Sequence, residues 1–188
     1  NKSIEIAEKD YRGLVIGNQS DNFSVGANLA MVMMMAVEQD WYELNMAINL
    51  FQQTSMKLRY SSIPVIAAPF GMTLGGGCEF SMHSDKIVAA AETYIGLVEV
   101  GVGLIPGGGG TKEFALRALK GALPDDVKTN HLRNYFMNIA TAKVATSAHE
   151  AKQMGILTDK DIIVVNKDRQ IAEAKRQAIV LDELGYTA

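Results

Sequence analysis

Two glutamates and two glycine runs are the residues of this chain best suited to chemistry. Glu79 follows Gly75-Gly76-Gly77, and Glu99 follows the apolar stretch Tyr94-Ile95-Gly96-Leu97-Val98. A second run, Gly107 to Gly110, comes soon after. Glycine adopts backbone angles that a Cβ forbids and lets the chain approach a ligand closely, at an entropic cost. Ile63 to Ala68 reads as a short buried strand ahead of the first run, and Cys78 to Met82 as the opening of a helix. Strand, glycines and helix start aim unpaired N–H groups at one point, a nest suited to a phosphate or a developing oxyanion. Each feature also has a plainer reading. Glu79 could simply complement the helix macrodipole, and Gly107 to Gly110 could be a loop before a helix that starts near Thr111. Glu99 is harder to account for, because an unpaired charge in apolar surroundings is costly.

The elements that must position these residues can be taken in order. Lys2 to Asp10 is helix-compatible, with Ile4, Ile6 and Ala7 as its apolar residues; Leu14 to Ile16 is a short buried strand, and Gly17 to Asn22 an exposed loop. Leu29 to Val37, with methionine at four of the five positions 31 to 35, reads as a buried helix. Asp40 to Leu58 is an amphipathic helix with Trp41, Leu44, Ile48, Phe51, Met56 and Leu58 along its stripe, which places Trp41 in the core. Lys86 to Ala90 is a further strand, with Asp85 as a turn or cap residue. Helices are expected over Lys112 to Lys120 and Val127 to Ala140, around a loop at Gly121 to Asp126. Ser147 and Glu150 form a capping box for His149 to Met154; Asp159 to Val165 is a strand, and Asn166 caps a last helix that ends at Gly185. Strands alternating with helices imply crossover units and a largely parallel sheet.

Composition sets the bounds. At 188 residues the chain is one domain with room for a substantial core. A net charge of −3 gives no basic footprint for nucleic acid. The single cysteine, Cys78, excludes an intrachain disulfide and suits a reducing compartment. No run is long and apolar enough for a membrane span, and no signal-peptide layout opens the chain, so the cytoplasm is the expected location. His83, His131 and His149 lack ligand spacing, and no metal is expected. No G-K-[ST] follows Gly107 to Gly110, Leu-Ile-Pro after Gly103 breaks a dinucleotide fingerprint, and there is no G-x-S-x-G elbow.

In order along the chain, PVIAA-x-x-G-x-x-LGGGCE, SD-x-IVAA and IG-x-x-EV-x-x-GLIPGGGGT resemble the enoyl-CoA hydratase/isomerase (crotonase) superfamily. Leu14 to Gly17 followed by Phe23 to Leu29 is similar to that family's other oxyanion segment. The resemblance is dense from about Leu14 to Arg117 and thinner from Thr146 to Leu157. It implies an α/β crotonase-like fold of repeated ββα units. The family's N-terminal hairpin is missing, which makes the chain look like a piece of something longer. Residues 1–188 then form one crotonase-like domain, with core and active site in 1–120 and a mainly helical part in 121–188.

The resemblance also implies chemistry. The carbonyl of an acyl-CoA thioester would accept hydrogen bonds from the Ala27 and Gly76 N–H groups. Gly26, Asn28, Leu29, Gly75, Gly77, Pro106 and Gly107 would line the substrate. Glu79 would act as the base toward water and Glu99 as the acid toward Cα, hydrating trans-2-enoyl-CoA to 3-hydroxyacyl-CoA. Asn28 stands where many relatives carry aspartate, and the methionine run could form an adaptable acyl wall instead of a core helix. Coenzyme A is part of the substrate, so no separate cofactor is implied. The segment from Ile95 to Glu113 and the tail after Ala142 look closest to a branch fused to an NAD-dependent 3-hydroxyacyl-CoA dehydrogenase, in which case NAD would belong to that other domain. Partners would be the thioester and either further copies of the chain or the fused domain. Double-bond isomerisation, a non-catalytic crotonase-like module and a two-carboxylate glycosidase are the competing readings.

Overall fold

In the computed structural model, which describes residues 1–188, the strands divide between two sheets. The first sheet is parallel throughout, in the order β1 (Leu14–Ile16), β2 (Val65–Ala67), β4 (Lys86–Ala90) and β7 (Ile162–Val164). The second holds β3 (Gly71–Leu74) parallel to β5 (Thr93–Gly96), with β6 (Val144–Ala145) antiparallel at its edge. β2, β3 and helix α4 (Gly76–His83) make one ββα unit; β4, β5 and α5 (Gly110–Leu119) make the next. Because each unit contributes one strand to each sheet, the two units lie side by side with their glycine turns at the same end. This is the α/β ββα arrangement expected from the sequence.

The remaining helices are α1 (Lys2–Asp10), α2 (Leu29–Val37), α3 (Trp41–Arg59), α6 (Lys128–Ala140), α7 (Ala148–Gln153) and α8 (Gln170–Glu183). β2 is buried on both faces. Val65 meets Ile4 of α1 and Leu58 of α3, while Ile66 packs with Val88, Ala174 and Ala178 under α8. Neighbouring residues of one strand therefore serve opposite layers, as the two-residue period dictates. The main core lies around Cys78, Met82, Ile87, Ile95, Phe114 and Ile156. Side chains pin the sheet from outside it: Asp85 accepts from the Val65 N–H at 2.8 Å, Asp161 from the Ile87 N–H at 2.7 Å, and Gln170 donates to the Pro69 and Val88 carbonyls.

Several expectations need correction. The strand that enters the first glycine run is β3, not the Ile63–Ala68 run, which ends as β2 and turns at Pro69-Phe70. β3 contains Gly71 and Thr73 and lacks an apolar run of its own; pairing with β5 makes it a strand. The methionine segment is helical but has no buried residue; Met33 is 69% exposed. Trp41 is 60% exposed and outside the core. α2 packs against α3, yet that contact buries neither the methionines nor Trp41. At α7, Ser147 accepts from the Glu150 N–H, but the returning Glu150 carboxylate takes the Thr146 N–H at 2.8 Å, one residue before the box position.

Gly96 is where the second sheet closes. A Cβ there would lie 2.5 Å from the Lys143 carbonyl and 3.0 Å from the Val144 Cα, both backbone atoms. Gly96→Ala is expected to cost about 1–3 kcal/mol through forced separation of β5 and β6. An unchanged denaturant midpoint would show that the edge strand yields freely.

Candidate functional site

The first glycine run owes its shape to backbone that only glycine takes easily: Gly75 has φ +53° and caps α4, and its N–H donates to the Gly96 carbonyl at 3.0 Å. The segment before Ala27 is laid along β3. Phe23 N–H donates to Phe70 O, Ser24 N–H to Met72 O, and Leu74 N–H to Ser24 O at 2.8 Å, with Ser24 and Thr73 bridged in parallel. This short ladder brings the turn at Gly26 (φ +96°) against the turn at Gly75: a Cβ built on Gly75 would lie 3.9 Å from the Gly26 Cα. Ser24 also fills the space beside Gly77, 2.6 Å from where its Cβ would sit. Neither the Ala27 nor the Gly76 N–H donates to an acceptor within the protein. Two turns distant in sequence thus meet, each with a main-chain donor to spare.

Glu99 borders this junction, and Glu79 reaches the second glycine run beside it. Glu99 opens a 3₁₀ turn, Glu99–Val102, after β5, and its Oε1 would lie 3.3 Å from a Cβ on Gly75. Its Oε2 is buried without a hydrogen-bond partner, an arrangement native proteins rarely keep without a role for it. Burial pushes the Glu99 carboxyl above its ordinary value. Glu79, in the first turn of α4, is 3% exposed. Its Oε1 accepts from the Gly110 N–H at 2.8 Å. Burial lifts its pKa to about 7, with the Glu99 charge adding to the rise, while the backbone N–H groups of Gly108 to Gly110 hold it back.

The other expected residues divide. Gly26, Ala27 and Leu29 lie exposed at the junction, and Gly75 to Gly77 form its floor. Asn28 is used as a helix cap, accepting from the Met31 N–H at 3.3 Å. Pro106 is buried under Gly110, close to where a Cβ there would stand, and Gly107 offers its carbonyl to Gln52 Nε2 at 2.7 Å. These last two shape the second glycine run from behind.

Residues not singled out from sequence complete the surroundings. The Phe51 ring stacks on Phe80 and presses against Gly76 and Gly108. His83, one helical turn after Glu79, donates Nδ1–H to the Glu79 carbonyl at 2.7 Å, and burial lowers its pKa and keeps the ring neutral. Beyond it Glu113 is buried, and although burial alone would raise its pKa, Arg59 on one side and Lys112 on the other bring it below the ordinary value. The i,i+4 spacing of Glu79 and His83 was a usable signal; nothing local to Gln52 or Glu113 announces a partner so far along the chain.

Comparison with known proteins follows this geometry. The family described as Enoyl-CoA hydratase/isomerase matches residues 1–179. The chain is 49% identical over 187 residues to the Bacillus subtilis (strain 168) protein named "Probable 3-hydroxyacyl-CoA dehydrogenase", covering 99% of this chain and 23% of that one. It is 38% identical over 111 residues to the "Fatty acid oxidation complex subunit alpha" of Shewanella loihica, covering 57% and 15%. The chain thus spans less than a quarter of the length of these curated relatives. The crystal structure of an enoyl-CoA hydratase from Polaromonas sp. JS666 matches with a TM-score of 0.76 at 23% identity, over 96% of this chain and 64% of that one, which speaks for the fold.

The raised Glu79 carboxyl has a thermodynamic consequence. The folded protein holds this proton up to about pH 7, whereas the unfolded chain releases it near 4.5, so its ionisation opposes folding. The penalty is absent below about pH 4.5, grows as pH rises toward 7 and is complete above it. Glu79→Gln keeps an oxygen for the Gly110 N–H and removes the charge. It is expected to stabilise the protein by about 3 kcal/mol at pH 8 and to make little difference at pH 4.5. Thermal unfolding of both forms across that range checks this; a difference independent of pH would refute it.

Proposed function

Because the chain belongs to the enoyl-CoA hydratase/isomerase family, we propose that it hydrates trans-2-enoyl-CoA thioesters to 3-hydroxyacyl-CoA. We propose further that it does so as the hydratase portion of a longer β-oxidation polypeptide. The observation that carries the reaction is the meeting of two spare main-chain donors with the half-buried Glu99 and, beside it, the buried Glu79. As water adds at Cβ, charge builds on the thioester oxygen, and the Ala27 and Gly76 N–H groups, which have no acceptor within the protein, would receive it. Each such preorganised donor typically contributes about a hundredfold to a thousandfold in rate.

Glu79 and Glu99 share the proton work. Water gives a proton to one carboxylate as its oxygen bonds to Cβ, and the other carboxyl gives a proton to Cα, so the pair ends with the number of protons it began with. The assignment has Glu79 as base and Glu99 as acid. In the unliganded molecule burial raises both groups, and Glu79 reaches about 7, so Glu79 itself is part-protonated near neutral pH. Two carboxyl groups raised by burial beside one another support an enzyme over a non-catalytic module.

The length and naming of the relatives support the fused context. In that context coenzyme A arrives with the substrate, and NAD would bind the dehydrogenase portion, not the residues described here. The substrate is the partner for which this site has chemistry. No helix is long and apolar enough to cross a membrane, and a cytoplasmic site of action is part of the proposal.

Loss of crotonyl-CoA absorbance is the direct assay. Glu99→Gln is expected to lower turnover by about 10²–10⁴-fold while 3-hydroxybutyryl-CoA still binds within about tenfold of the parent affinity. A fully active Glu99→Gln variant would remove Glu99 from the mechanism, and no hydration by the unaltered protein would sink the reaction itself.

A further inference from the structure

Phe51 is a site residue that the proposed reaction leaves without a task. It lies on α3, its ring stacked on Phe80 of α4 with centroids 4.6 Å apart and planes 14° from parallel. A Cβ on Gly76 would stand 2.9 Å from Phe51 Cζ. A Cβ on Gly108 would stand 1.9 Å from Phe51 Cε1 and 2.4 Å from Glu79 Oε2. The ring edge and the carboxyl oxygen therefore border the same small space, the one Gly108 leaves by having no side chain. The next residue, Gln52, donates to the Gly107 carbonyl at 2.7 Å and fixes α3 against the glycine run, so the ring is held in place.

We propose that Phe51 is a positioning residue for Glu79: its ring is an apolar wall along one side of a carboxyl oxygen, limits water on that side and so sets the acidity of this group. The other groups facing Glu79 act differently. Glu99, from the turn after β5, repels its charge, and the Gly108 to Gly110 N–H groups at the start of α5 favour it. Cys78 and His83 flank it on its own helix, both buried. Beyond His83, the cations Arg59 of α3 and Lys112 and Arg117 of α5 are turned onto Glu113, and none pairs with Glu79. The side of Glu79 Oε2 bordered by Gly108 is covered by an aromatic edge, which offers a carboxylate no hydrogen bond.

The inference concerns the acid proposed as base, so its kinetic readout rests on that reading; its titration does not. Carboxyl ¹³C NMR of protein with labelled glutamate follows the group directly, assigned by the signal lost in Glu79→Gln. The Glu79 midpoint is expected near 7 in the unaltered protein. It should fall by about one pH unit in Phe51→Ala, by about half as much in Phe51→Val, and by less than about 0.3 in Phe51→Leu. An unmoved midpoint in folded Phe51→Ala, or in Phe51→Val if the alanine variant does not fold, overturns the proposal. In crotonyl-CoA hydration from pH 5 to 9, the acid limb should move with the midpoint. A moving midpoint in a protein that hydrates nothing upholds this inference and defeats the proposed reaction. An active protein whose Phe51 variants titrate unchanged does the reverse.

Discussion

A carboxyl group enters an apolar interior only if something there receives it, and at Glu79 the receiver is backbone. The Gly110 N–H bond joins α4 to the start of α5, and it is available only because Gly108 and Gly109 lack side chains that would strike Phe51 and His83. Glu113 shows the other solution. Equally buried, it is met by Arg59, Lys112 and Arg117 and is held ionised. Cations fix a charge in place; N–H groups support a carboxylate without committing it. One glutamate therefore serves as a structural anchor and the other stays free to exchange a proton near neutral pH.

The second constraint is the short parallel ladder between residues 23–24 and β3. Ala27 sits in an exposed loop, and loops are poor places from which to aim a donor. The bonds of Phe23, Ser24 and Leu74 transfer the order of a buried sheet to that loop, and Ser24 locks it against Gly77. Asn28 capping α2 fixes the far side. The donor at Ala27 is thus held from both directions by groups that never touch a ligand.

How much of this the sequence discloses depends on distance along the chain. The glycine runs, the glutamates after them and the helix starts are local patterns, and the structure brings all of them to one junction. The ββα order follows from alternating apolar runs. What sequence hides is what lies opposite a residue. The stripe containing Phe51 and Trp41 is regular along its whole length, yet Phe51 meets Phe80 of α4 and the glycine runs while Trp41 stays exposed. Likewise the methionines of α2 satisfy the pattern of a core helix and lie exposed. β3 was missed for the converse reason, since its register with β5 makes it a strand despite a composition that does not favour one.

Cys78, at the heart of the main core, is the chain's one sulfhydryl. Burial pushes its thiol far above the range in which thiolate forms, and thiolate is the species that alkylating reagents and peroxides attack. The folded protein therefore offers no nucleophilic sulfur to its surroundings, although Cys78 is the sequence neighbour of Glu79. Handling in air should leave it chemically unchanged for as long as the fold stays closed.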